Sequence, residues 1–180
     1  MRRFCTATGG TVDDVDFRKT RWLPGNRFRF GQNWQRFLAV VDDERISAAE
    51  MSISELLDAD FVKGARFLDA GSGSGMFSLA ARNLGATVVS FDFDPDSVGC
   101  TQALKQRFWP EDPAWTVSEG SLLDKGFLET LGTFDIVYSW GVLHHTGSLH
   151  EAMHNVAHLV ASGGKLCVAI YNYQGLATEA

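Results

Sequence analysis

"FLDAGSGSGMFSLAA", Phe67 to Ala81, joins a short apolar run to an acid, then to a glycine at every second position, then to the start of a helix. The apolar run reads as a strand. Gly71, Gly73 and Gly75 let the main chain turn tightly and let a ligand come close to the backbone. Asp69 stands two residues before the first glycine and restricts what that ligand can be.

The same alternation extends on both sides of this stretch. "ARFLDA" is a strand and "MFSLAARNL" a helix closed by Gly85. "TVVSFD" is followed by the helix "PDSVGCTQALKQRF", with Pro95 at its start. "AWTVSE" precedes the short helix "LLDKGFLETLG", and "FDIVYSW" precedes the helix "SLHEAMHNVAHLVA". "KLCVAIYN" is the fifth strand. Strands and helices in turn predict an α/β fold, a doubly wound, mainly parallel sheet with helices on both faces. Residues 1–32 read as an irregular basic arm and 33–60 as a helical lead-in, with helices near 33–41 and 46–58. Ser47 and Glu50 have capping-box spacing in the second helix. Residues 61–180 form the α/β domain.

Composition narrows the class. The chain has 180 residues, 45% of them hydrophobic, enough for one domain with a core. No apolar stretch is long enough to span a membrane, and none follows Arg2 and Arg3 as a signal peptide requires. Cys5, Cys100 and Cys167 are odd in number and scattered, as expected of thiols in a cytoplasmic protein. The net charge of −6 is uneven: residues 1–36 hold eight basic and three acidic side chains. A basic arm on an acidic body suits an anionic substrate or nucleic acid, or packs against its own domain. Without a recognisable RNA-binding module, nucleic acid is the less favoured partner.

The glycine turn sits where α/β sheets bind ligands, beyond the carboxyl end of the first strand. A dinucleotide fingerprint would place its third glycine at Met76, whereas the glycine is Gly75. Asp69 would also repel a pyrophosphate. A cationic ligand reverses that sign, gaining a charge-assisted hydrogen bond of roughly 1.5–3 kcal/mol. S-adenosylmethionine has an α-ammonium group, a sulfonium and a ribose diol, and no phosphate. Asp92 ends the second strand 19 residues after Gly73, the spacing of a ribose-binding acid. The alternative for Asp92 is a turn residue in "DFDPD", where Asp94 and Asp96 suit helix capping.

With "DAGSGSG", "FDFDP", "EGSLLD", "FDIVYSWGVLHHTG" and "LVASGGKLCVAIYN" in this order, the chain resembles the class I S-adenosylmethionine-dependent methyltransferases. The stretch from Phe28 to Leu57 is similar to a bacterial, quinol-methylase-like branch. The resemblance implies a Rossmann-like methyltransferase fold, S-adenosyl-L-methionine as cofactor and a small-molecule methyl acceptor. Its methionine-binding positions fall on Asp69, Gly71, Ser72 and Gly73, with Gly75 opening the helix, its ribose acid on Asp92 and its adenine wall on Phe93. The adenine amine falls to Ser121 and the Leu122 backbone, because Gly120 stands where an acid is common. Ser139 and Trp140 match positions lining the methyl donor.

His144 and His145 are candidates for a general base, needed only when the acceptor must lose a proton. His150, His154 and His158 continue at helical spacing, but "VLHHT" recurs in this family without a metal, and no metal is expected. The family's sheet normally continues past the fifth strand, whereas this sequence stops at Ala180. A sheet cut short there would leave the fifth strand an exposed edge open to self-association. A cofactor-binding remnant without catalysis and an NAD(P)-dependent oxidoreductase are the competing readings.

Overall fold

Parallel strands buried on both sides must present apolar residues in two directions at once, and the central strands do so. The computed structural model describes residues 3–5 and 41–170. Most of the basic arm, the helix expected near 33–41 and the end of the fifth expected strand lie outside the described residues. The strands are β1 (Arg3–Cys5), β2 (Arg66–Ala70), β3 (Thr87–Asp92), β4 (Trp115–Glu119), β5 (Phe134–Trp140) and β6 (Val160–Ala169). The helices are α1 (Asp43–Leu57), α2 (Ala59–Val62), α3 (Met76–Asn83), α4 (Pro95–Phe108), α5 (Lys125–Leu131) and α6 (Leu149–His158). A short 3-10 turn, Leu143–His145, follows β5.

The strands form one sheet in the order β1-β6-β5-β2-β3-β4, every pair parallel. From β2 the chain winds outward through β3 and β4, then returns to β5 and β6 on the other side. The direction reverses between β2 and β5, and beyond the carboxyl ends of strands at such a reversal is where α/β sheets bind ligands.

Alternate residues feed two cores. Phe67, Val88, Trp115, Ile136 and Tyr138 pack with α1, α3 and α4 on one face. Leu68, Phe91, Val137 and Leu166 pack with α5 and α6 on the other. Each such side chain contributes roughly 1.5–3 kcal/mol on leaving water. Ile46, Ala49, Ile53 and Leu57 of α1 belong to the first core, so the lead-in helix packs on the same sheet face as α3 and α4.

Three expectations need correction. The cap of α1 is Asp42, whose side chain accepts from the Arg45 N–H at 2.9 Å, while Ser47 is exposed inside the helix. Glu50 instead accepts from the Asn83 side chain of α3 at 2.6 Å. The arm is not irregular throughout, because Arg3–Cys5 forms β1. Its register, Arg3 with Lys165, Phe4 with Leu166 and Cys5 with Cys167, covers part of the β6 edge expected to be open. β6 itself begins earlier than expected, at Val160, and absorbs "ASGG" through a register shift in which Gly163 takes φ +82°.

Candidate functional site

Gly71, Gly73 and Gly75 all take positive φ, at 88°, 55° and 78°. The Gly71 and Ser72 N–H groups both donate to the Phe91 carbonyl, which folds the turn back over the end of β3. A Cβ on Gly71 would lie 2.5 Å from Val142 in the loop after β5. One on Gly75 would lie 2.9 Å from the Thr101 backbone of α4. The turn is therefore pressed between the loop after β5 and α4. Ser72 is buried, and its hydroxyl pairs with Thr101 Oγ1 at 3.0 Å. Ser72 thus ties the turn to α4.

Two carboxylates stand at the ends of the adjacent strands β2 and β3. Asp92 is half-buried; one oxygen accepts from the Gly73 N–H and the other from the Asp94 N–H, each at 2.9 Å. It holds the middle of the glycine turn against β3. Burial pushes its pKa up, and those backbone donors oppose the shift. Asp69 is only 3% exposed and accepts from Ser78 Oγ at 2.6 Å. Burial pushes its carboxyl up to about 7, Ser78 opposes that, and the charge of Asp92 adds to it. Asp94 caps α4 by accepting from the Asp96 N–H, and Asp96 itself is exposed. Asp94 thus caps the helix, while Asp92 makes both a turn bond to Asp94 and a bond back to Gly73.

The remaining expected residues surround the same end of the sheet. Phe93, 52% exposed, follows Asp92. Ser121 accepts from the Leu123 N–H, and the buried Leu122 gives its carbonyl to Asn155 of α6 at 2.8 Å. The fully buried Ser139 hydroxyl donates to the Ala70 carbonyl at 2.8 Å, so it joins β5 to β2. Trp140 stacks on Tyr138 with ring centroids 5.6 Å apart. The rings of His144 and His145 lie 4.0 Å apart. Burial, reinforced by His145, lowers His144 to about 4, and burial also lowers His145. Both imidazoles are neutral at ordinary pH. On α6, His158 pairs with the His154 carbonyl at 2.7 Å, and His150, His154 and His158 are exposed. Among the described residues no cluster of three metal-binding side chains occurs.

Sequence reasoning missed Val142, Thr101, Ser78, Ser90 and Trp115, all of which support the turn or Asp69. Only Ser90, a lone hydroxyl inside the apolar "TVVSFD", offered a signal.

A family model described as a methyltransferase domain matches residues 41–179. A ubiquinone biosynthesis O-methyltransferase of Rhizobium johnstonii is 29% identical over 152 residues, which are 84% of this chain and 58% of the relative. The chain thus spans little more than half the length of that curated relative. In fold, a magnesium protoporphyrin IX methyltransferase of Synechocystis solved with bound S-adenosylhomocysteine has a TM-score of 0.58 at 22% identity, over 72% of this chain and 63% of that one. A Methanococcus maripaludis protein assigned to the S-adenosylmethionine-dependent methyltransferases has a TM-score of 0.65 at 15% identity, over 83% and 68%.

Proposed function

The chain belongs to the class I S-adenosylmethionine-dependent methyltransferases, and from that premise we propose that it binds S-adenosyl-L-methionine and methylates a small-molecule acceptor in the cytoplasm. One observation carries the reading: two carboxylates, Asp69 and Asp92, flank a glycine turn at the switch point of the sheet. Those acceptors fit a cationic, phosphate-free nucleoside and oppose the pyrophosphate of a dinucleotide. An oxidoreductase is accordingly disfavoured.

Asp69 would hold the cofactor's α-ammonium, a buried carboxylate regaining in that cation what it lost with water. Gly71, Ser72, Gly73 and Gly75 would present main chain to the amino-acid end. Asp92 would accept from the ribose hydroxyls with the lone pairs left by its two backbone donors. Phe93 would cover the adenine, with Ser121 and Leu122 at its edge. Trp140 and the Ser139 backbone would border the methyl donor, since the Ser139 hydroxyl already serves Ala70.

The bound cofactor supplies an electrophilic methyl group on a sulfonium. The chain contributes alignment, for which oriented reactions indicate up to roughly 7–11 kcal/mol. Where the acceptor is a hydroxyl or phenol, His144 or His145, neutral imidazoles in the turn beyond Val142, would take its proton, and the burial that lowers His144 to about 4 makes it a weak base. The Rhizobium relative, named for O-methylation, supports an acceptor of that kind.

Calorimetry with S-adenosylhomocysteine and NAD tests this. Asp92→Asn loses the charge and one of the two oxygens that accept from Gly73 and Asp94, so affinity for S-adenosylhomocysteine should fall by about 1.5–3 kcal/mol, roughly ten- to a hundredfold, in a variant shown by melting to be folded. Asp96→Asn should change little. Tight binding of NAD alone, or equal small effects at both positions, overturns the reading.

A further inference from the structure

Behind Asp69, four side chains form a single line of hydrogen bonds. The Trp115 indole N–H donates to Ser90 Oγ at 2.9 Å, the Ser90 and Ser78 hydroxyls lie 2.7 Å apart, and Ser78 Oγ donates to Asp69 Oδ2 at 2.6 Å. They come from β4, β3, α3 and β2, and none is more than 3% exposed. A polar line inside an apolar face is costly unless every member is satisfied.

The direction of this line follows from chemistry. An indole N–H only donates, and an ionised carboxylate only accepts. The single Ser78 proton goes to Asp69, so Ser90 must donate to Ser78, and Ser90 accepts from Trp115. Every donor then points toward the carboxylate. Were a protonated Asp69 to donate to Ser78, the Ser78 proton would turn onto Ser90. Ser90 would then accept twice, with no acceptor in the line for its own proton.

We propose that Ser78, Ser90 and Trp115 are positioning residues for Asp69, a one-way line of donors that fixes its carboxylate and leaves its other oxygen for the cofactor's α-ammonium. This rests on the reading of Asp69 as the partner of that ammonium. The other ionisable groups that bear on Asp69 are Asp92 on β3 and Tyr138 on β5, the latter kept neutral by burial. From α3, Ser78 adds its backbone N–H to its hydroxyl. Neither Asp92 nor Tyr138 belongs to the line, so changes within it leave both in place.

The test is calorimetry of the full chain with S-adenosylhomocysteine across the pH range in which Asp69 titrates, with melting curves to establish folding. Wild-type affinity should fall as pH drops below about 7. In Ser78→Ala the midpoint should move up by about one pH unit, a loss of about fivefold at about pH 7 that approaches about tenfold in mild acid and vanishes in mild alkali. Ser78→Thr, which keeps the hydroxyl, should retain the wild-type midpoint. Trp115→Phe and Ser90→Ala should shift it the same way by less, and they carry the comparison if Ser78→Ala does not fold. A loss equal at every pH, or no shift in folded variants, overturns the proposal while leaving the cofactor reading intact. Absence of wild-type binding at every pH overturns both.

Discussion

At Asp69, stability and ligand affinity pull one carboxylate in opposite directions. Its pKa in the folded chain is raised to about 7 from 3.8, so the folded state holds a proton that the unfolded chain releases. Folding therefore loses stability as pH rises from about 4 to about 7, by an amount of order a few kcal/mol. Asp69→Asn should raise the melting temperature at neutral pH, lose that gain near pH 4, and bind S-adenosylhomocysteine far more weakly. A melting temperature that falls in this variant at neutral pH would show that the buried charge is compensated within the protein. Gly71 carries a different constraint, since its φ is +88° and a Cβ would overlap Val142. Gly71→Ala should cost about 1–2 kcal/mol for the left-handed backbone, plus the overlap. Adding Val142→Ala should recover only the overlap part, and melting of the single and double variants separates the two. Neither constraint could be weighed in the sequence, because the depth of Asp69 and the approach of Val142 arise only when β2, β3 and β5 are assembled.

Among the elements, those with a strong local signal were legible to the residue. α4 runs from Pro95 to Phe108 and β5 from Phe134 to Trp140, as the proline, the capping acid and the apolar run dictate. β1 was not legible: three residues in a basic, aperiodic start have no pattern of their own and gain strand geometry from the ladder of β6. The start of β6 was hidden because Val160 and Ala161 read as part of the preceding helix, which ends at His158, and Gly163 and Gly164 form an irregularity within the strand. The cap of α1 was misplaced because the Ser47–Glu50 spacing competes with an equally suitable Asp42 closer to the true start. The presence of β1 bears on association, since a parallel partner covers backbone groups of β6 that would pair with another chain. Removing residues 1–5 should therefore shift the protein toward larger species in light scattering. An unchanged mass at high concentration would mean that β6 is protected by something other than β1.

Over the whole molecule, the candidate cofactor residues were read from sequence because they follow strand ends, where an acid or a glycine is conspicuous. The line that supports Asp69 was not, since serines on α3 and β3 and a tryptophan on β4 acquire meaning only where the two-layered packing brings them together. Asp69 and Asp92 sit on central strands that share both cores with most of the helices, so ligand binding there should be felt in global unfolding. A ligand at a hundredfold over its dissociation constant stabilises the folded state by about 2.7 kcal/mol. For a domain of this size that corresponds to a rise of roughly 5–11 °C in melting temperature. S-adenosylhomocysteine should produce such a rise in the wild-type chain. At the same concentration Asp92→Asn, binding about ten- to a hundredfold more weakly, should keep only about 0.4–1.4 kcal/mol of it. NAD should leave the transition unmoved. A shift with NAD but none with S-adenosylhomocysteine would return the glycine turn to a dinucleotide, against both carboxylates. Equal shifts in wild type and Asp92→Asn would place the nucleoside away from the end of β3.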